Sequence, residues 1–187
     1  MRGYEFQPNH ECAIFGLLSK TDLGGPALYI GLVEKMRKKE KEVTDIAVME
    51  SLLQEAETMR LAFCDGDEPY IVPVSFGYQD GAIFIHSARE GRKLELIKRS
   101  NKVCFEVDRY KTVKKDLPCK WTIDYTSVIG LGEAKLIEGK EEKNRALDVI
   151  MAHYGAVPPF EYSESALSKM LVIRIAVRSM TCKRSIG

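Results

Sequence analysis

The sequence has little that would hold a metal, a membrane or a polyanion. Of its 187 residues only three are histidine (His10, His86, His153), none at a metal-ligand spacing from a cysteine or another histidine, so no structural zinc site is expected. Five cysteines (Cys12, Cys64, Cys104, Cys119, Cys182) form an odd set without a Cys-x-x-Cys pair. A chain of this size needs no disulfide framework, and the pattern suits a reducing cytoplasm. Charge of one sign is not in excess either. Lys+Arg 28 against Asp+Glu 27 leave +1, which excludes holding nucleic acid or an anionic membrane by bulk charge, so any anion site must be local. No apolar run approaches the ~20 residues of a bilayer span. Ala13–Leu18 and Leu171–Val177 are short, and the second carries Arg174, so neither a signal peptide nor a membrane anchor is expected.

What is present suffices for a core: 45% hydrophobic and 29% charged residues are those of a globular chain. At about 150 residues per domain, the length predicts one domain with a modest extension. Residues 1–35 lack a sustained period and read as an N-terminal arm; residues 36–187 read as the domain. Thr44 is placed to cap a helix with Ile46, Met49, Leu52, Leu53 and Ala56 on one face. The pattern then turns to short extended segments: Met59–Cys64, Tyr70–Tyr78 and Ala82–Ser87, separated by Asp65-Gly66-Asp67 and Gln79-Asp80-Gly81. These Asp-Gly turns signal an antiparallel meander. Further extended segments are Val103–Val107, Trp121–Ile137 with Gly130 and Gly132 as bulge positions, and Met170–Val177. A second helix, Lys140–Tyr154, would bury Leu147, Ile150, Met151 and Tyr154 and stop at Gly155. About six antiparallel strands with inserted helices predict a mainly β fold, a small barrel with peripheral helices.

The segment richest in chemistry runs from Ile83 to Arg99. A strand ends at His86-Ser87, a turn contains Gly91, and a helix begins at Arg92-Lys93. Free backbone N–H groups and two cations would meet there at a positive helix end, forming a phosphate cradle. Gly91 permits close approach, Arg92 can grip two oxygens, and Lys93 adds a point charge. The same residues also suit a solvated first turn in which Ser87 and Glu90 form a capping box.

The blocks Pro69-Tyr-Ile-Val-Pro-Val-Ser-Phe-Gly-Tyr, Gly81-Ala-Ile-Phe-Ile-His-Ser-Ala-Arg-Glu-Gly-Arg-Lys-Leu, Asn101-Lys-Val-Cys-Phe-Glu-Val and Tyr125-Thr-Ser-Val-Ile-Gly-Leu-Gly-Glu-Ala extend the argument. Together they resemble the pyridoxamine 5′-phosphate oxidase-like flavin-binding family, and within it most closely the 5-nitroimidazole-resistance proteins. The resemblance runs from about Met36 to about Lys183. It implies a split β-barrel and a homodimer with FMN bound non-covalently between subunits. By that resemblance the phosphate sits on Arg92, Lys93 and the Ser87–Gly91 turn. The flavin ring lies along Val72, Pro73, Val74 and Ser75, with apolar side chains on its face. His86 would contact cofactor or substrate, or else be a hydrogen-bonded histidine at a strand end. Trp121, Tyr125 and Ser127 would reach the partner's flavin, or else be ordinary interface or core residues. No catalytic acid or base is required, because the chemistry belongs to the cofactor.

The implied activity is an oxidoreductase of the nitroreductase type, taking electrons from NADH, NADPH or another donor for a small-molecule substrate. A flavin or small-molecule carrier without turnover is the alternative, and the sequence does not separate FMN from another flavin or a haem in the same cleft. Pyridoxamine 5′-phosphate oxidase activity itself is disfavoured, since no complete basic set for a second phosphate is visible. Where the family often has Met-Thr-Gly-Lys, this chain has Met180-Thr181-Cys182-Lys183, which leaves a close glycine contact unsupported and puts Lys183 where it could lower the thiol's pKa. In the arm, Glu11-Cys12-Ala13-Ile14-Phe15-Gly16 is similar to the amino-terminal nucleophile segment of glutamine amidotransferases. Ala13 replaces the usual glycine and the rest of that fold is missing, so no amidotransferase activity is expected.

Overall fold

The computed structural model of the protein describes residues 36–186, so the arm and its Cys12 segment lie outside the described residues. Eight strands are present: β1 (Glu42–Val43), β2 (Met59–Asp65), β3 (Glu68–Val74), β4 (Gly77–Gln79), β5 (Ala82–Ala88), β6 (Lys102–Val113), β7 (Thr122–Ile137) and β8 (Met170–Ser185). Four α-helices accompany them: α1 (Ile46–Glu55), α2 (Arg92–Arg99), α3 (Lys140–His153) and α4 (Glu164–Ser168). Every strand pairing is antiparallel, in the order β3-β2-β6-β7-β8-β5-β4, with β1 added beside β8.

The two Asp-Gly signals form two-residue hairpins. Gly66 takes the first central position between β2 and β3 with φ 63°, while Asp80 and Gly81 are both left-handed (φ 50° and 72°) between β4 and β5. The chain leaves β3, one edge of the sheet, and enters β4, the other edge, through Ser75 and Phe76 alone. Three peptide steps reach at most about 11 Å, so the edges must curl toward each other. The result is a barrel with an open seam, the expected split β-barrel.

Alternation sorts the strands into two faces. Leu61, Phe63, Val103, Phe105, Val107, Val128, Ile83, Ile85, Ile173 and Ile175 point inward, joined by Met49, Leu52 and Leu53 of α1 and Leu94, Leu96 and Ile97 of α2. Gly130 is demanded by this core, because a Cβ there would overlap the ring of Phe105. A second apolar cluster lies outside the barrel, where Ala146, Leu147 and Ile150 of α3 and Leu167 of α4 cover Ile137 and Val172.

Several local expectations are corrected. The cap of α1 is Asp45, whose carboxylate accepts from the Ala47 N–H at 3.0 Å, rather than Thr44. The Tyr70–Tyr78 segment breaks at Ser75–Phe76. Trp121–Ile137 is one strand less its first residue, and the irregularity near Gly132 places the extra residue on β8: Leu131 faces Ser179 and Gly132 faces Val177, leaving Arg178 unmatched. On α3, Met151 and Tyr154 are exposed, since Ala146 completes the buried face instead. Tyr154 clamps the β3–β4 link, accepting from the Phe76 N–H at 3.1 Å and donating to the Glu57 carbonyl at 2.8 Å.

Candidate functional site

Strand β5 delivers the chain to Arg89-Glu90-Gly91, and α2 starts at Arg92. Gly91 is its N-cap at φ 125°, a conformation side-chain-bearing residues rarely adopt, and nothing lies within 4 Å of where a Cβ would stand. No side chain caps this end, so the Ser87–Glu90 capping box does not form. The Leu94 and Glu95 N–H groups turn back to the Gly91 carbonyl at 3.0 and 3.3 Å, and the amides of Arg92 and Lys93 are left as first-turn donors. The α2 macrodipole adds positive potential at the same point.

The two cations differ. Lys93 is half-buried, has no carboxylate partner among the described residues, and burial lowers its pKa. Arg92 is exposed but held: its Nε and Nη2 donate to Asp65 Oδ2 at 3.3 and 3.0 Å, and its guanidinium lies 4.6 Å from the Tyr70 ring centroid. The other oxygen of Asp65 accepts from Arg99 Nη1 at 2.8 Å. Asp65, Tyr70 and Arg99 therefore belong to the cradle and were missed by sequence reasoning. The seven-residue spacing of Arg92 and Arg99, two turns along one helix face, was the available signal for Arg99. Asp65 ends β2 beside the Gly66 hairpin, and only the folded contact reveals its role.

These contacts join α2 to the β2–β3 hairpin and so bring the cradle beside β3. There the side chains of Val72 and Val74 turn inward and pack on the barrel core, while Pro73 and Ser75 are exposed. Among the described residues β3 pairs only with β2, which leaves backbone groups on its other edge unpaired there. Ser87 is half-buried, and His86 is exposed on the outer face of β5 opposite Val172. The His86 imidazole makes no side-chain hydrogen bond among the described residues.

Trp121, Tyr125 and Ser127 lie elsewhere. Trp121 is exposed, its indole N–H donates to the Lys115 carbonyl at 2.9 Å, and Lys114 Nζ lies 5.2 Å from its ring centroid. Tyr125 faces Tyr110 and Ser127 faces Asp108 across the β6–β7 pairing. Among the described residues no hydrogen bond, ion pair or ring contact joins these three to His86, Arg92 or Lys93. They sit on the bare outer face of β6–β7 with exposed Tyr110, Ile123 and Ile129. On that face Arg60 Nη1 pairs with Glu106 at 2.9 Å and Asp108 at 2.6 Å. Burial pushes the Glu106 carboxyl up, against the hydrogen bond from Arg60. Cys182 is buried in the core, and burial raises its thiol pKa; Arg184, not Lys183, opposes that rise. The thiol fills space where the family often has glycine.

The sequence profile described as pyridoxamine 5′-phosphate oxidase matches residues 45–184. The chain belongs to the pyridoxamine 5′-phosphate oxidase family. Among solved structures of this fold, a protein from Bacteroides thetaiotaomicron with a proposed role in 5-nitroimidazole antibiotic resistance is 33% identical over 76% of this chain and 86% of its own, with a TM-score of 0.69. The FAD and heme binding protein of Mycobacterium smegmatis shares 18% identity over 79% of this chain and 74% of its own, with a TM-score of 0.69. The flavocytochrome Anf3 of Azotobacter vinelandii shares 16% over 82% and 73%, with a TM-score of 0.68. No curated protein matches the sequence. The open-seamed barrel agrees with that family and with the fold of these structures. Among the described residues no helix is long and apolar enough to cross a membrane, and no group of three or more His, Cys, Asp or Glu could hold a metal ion.

Proposed function

We propose that this chain is a cytoplasmic flavoprotein that binds FMN non-covalently as a homodimer and serves as an oxidoreductase. The observation that carries the reading is Lys93: a half-buried ammonium without an anionic partner among the described residues, beside first-turn amides unbonded there and a glycine that leaves room for a close approach. A terminal phosphate fits that set of donors and would place a negative charge beside Lys93, whose pKa burial lowers. Arg92, already oriented by Asp65 and Tyr70, retains N–H groups for a second contact. The free edge of β3 over Val72–Ser75 would meet the polar rim of the ring, with Pro73 against its face. FMN is favoured over FAD because the cradle is one compact cluster suited to a single phosphate.

The homodimer is supported by the separation of Trp121, Tyr125 and Ser127 from the cradle within one chain. If they touch flavin, it is the one held by a partner, and the exposed Ile71, Tyr110, Ile123 and Ile129 supply an apolar face for such an association. The cytoplasmic placement is supported by the thiols of Cys104, Cys119 and Cys182, which form no disulfide among the described residues. Bound flavin supplies hydride or electron transfer, while the chain anchors the phosphate, positions the ring and shields it from water. The expected donor is NADH or NADPH and the expected acceptor a small molecule such as a nitroaromatic, in keeping with the relative from Bacteroides thetaiotaomicron.

The test is absorbance of the purified chain and fluorescence titration with FMN, FAD and riboflavin. The expected result is saturable FMN binding that the paired Arg92→Ala, Lys93→Ala variant loses while riboflavin binding stays weak in both. A chain that takes up none of the three overturns the reading. Stopped-flow mixing of the loaded protein with NADH or NADPH, then with nitroaromatics, reads turnover; failure of every donor would make the flavin cargo and the chain a carrier.

A further inference from the structure

Away from the cradle, α3 lies so close on β4 that a Cβ on Gly77 would stand 2.7 Å from the Val149 carbonyl oxygen and 2.8 Å from Ile150 Cα. The side of α3 turned from its buried face borders an open groove of about 690 Å³, with α1 and β4 opposite and the Pro158–Pro159 loop over it. That volume lies within the range of small-ligand sites.

The walls of the groove are amphipathic. Apolar surface comes from Val149 and Ala152 on one side and the two prolines on the other. Tyr78 and His153 add rings that the protein itself fixes. The Tyr78 hydroxyl donates to Glu50 Oε1 at 2.7 Å, and His153 packs 4.6 Å from the Phe76 ring with Nε2 at 2.8 Å from the Ala56 carbonyl. The loop is tied down as well, since Asp148 Oδ1 accepts from the Phe160 N–H at 3.2 Å and the Tyr162 hydroxyl at 2.9 Å.

The polar groups left over define a ligand. Arg145 is the cation of the lining and has no carboxylate partner among the described residues, while the amides of Gln54 and Gln79 have no hydrogen bond there either. Asp148 stands three residues along α3 from Arg145, on the same side of the helix, and neither of its two bonds uses Oδ2. A cation and a free carboxylate oxygen one turn apart, above apolar walls and ring faces, complement a molecule that carries an acid, a hydrogen-bond donor and a flat apolar body.

From this arrangement we infer that the groove between α1, β4 and α3 is a second binding site, separate from the α2 cradle, for a small hydroxylated aromatic or similarly amphipathic carboxylate. The acid lies on Arg145 with the Gln amides beside it, the donor lies on Asp148 Oδ2, and the body lies between Val149 and the prolines. The site does not depend on flavin binding.

The test titrates the full 187-residue chain with 3-hydroxybenzoate, followed by calorimetry and by amide NMR shifts. Expected are saturable binding in the micromolar to millimolar range and shifts at the side chains of Gln54, Gln79 and Arg145. Arg145→Gln weakens binding at least about tenfold, and 3-hydroxybenzamide, which lacks the charge, binds no better to the original chain than to that variant. Ala152→Trp, a substitution on the exposed rim, blocks the groove and abolishes binding without altering charge. The paired Arg92→Ala, Lys93→Ala chain binds unchanged. Absence of saturable binding, equal binding by Arg145→Gln, or loss through Arg92 and Lys93 instead of Ala152→Trp overturns the inference.

Discussion

One sheet presents two outer faces with different fates. Over β5, β8 and the end of β7, the outer face is covered by α3 and α4, and Val172 and Ile137 are buried at 0% and 3% exposure. Over β2, β6 and the start of β7, the same alternation places Ile129 and Ile123 outward at 50% each, with Tyr110 at 67%. The covered half finishes its packing within the chain. The bare half carries comparable side chains that nothing among the described residues covers, and the Arg60–Glu106–Asp108 cluster sits among them. A β-barrel thus has two hydrophobic obligations per strand, and the described residues meet the inner one throughout but the outer one only where α3 and α4 lie on the sheet.

Substitutions can break that contrast. Ile150→Ala, in the covered half, should cost about 2–5 kcal/mol in urea-induced unfolding, because truncation leaves a cavity between α3 and the sheet. Gly77→Ala should cost about 1–3 kcal/mol by forcing α3 off β4, and should also change the groove beside Gln79. A smaller loss for Gly77→Ala than for an exposed control such as Gly139→Ala would show that α3 is not held where the contacts put it.

At the cradle, pH sharpens the comparison. Burial holds Lys93 below its ordinary pKa of 10.5, so the folded, flavin-free chain binds that proton less readily than the unfolded chain. Its contribution is complete above 10.5 and is lost as pH falls from there through the folded pKa. Stability therefore rises with pH across that window, and Lys93→Met should flatten the rise in denaturant titrations. Added phosphate or FMN should flatten it in the original chain too. Asp65→Asn should act more weakly: the ion pairs it breaks are half-exposed and worth about 0–1 kcal/mol, so FMN affinity should fall only a few-fold. Ile129→Arg should change the unfolding free energy of an isolated chain by less than about 0.5 kcal/mol. Sedimentation of the same variant should nevertheless show loss of self-association if the bare face is the dimer contact, whereas a change in unfolding with no change in mass would return Ile129 to the chain's own packing.

Much of this architecture was legible beforehand for local reasons. Asp80-Gly81 needs positive φ at both positions, and a two-residue hairpin follows from that alone. Gly91 before Arg92-Lys93 at the end of an apolar strand marks a helix start with free amides, and the helix begins there. Thr44 was misread because Thr44 and Asp45 are both good caps, and only the first helical turn's position chooses between them. Met151 and Tyr154 were misread because a 3.6-residue stripe does not say how wide the buried sector is. The packing distance at Gly77 sets that width.

The sequence by itself determined the strand and turn order, the balance of charge and the presence of a local cation pair, since these depend on residues close together along the chain. Only the tertiary structure decided that Arg92 is held by Asp65 and Tyr70 while Lys93 has no carboxylate partner among the described residues. It also decided that Val72 and Val74 serve the core, and that Trp121, Tyr125 and Ser127 stand apart from the cradle. Those outcomes depend on which strands become neighbours and which face each turns outward. Contacts between residues tens of positions apart decide both.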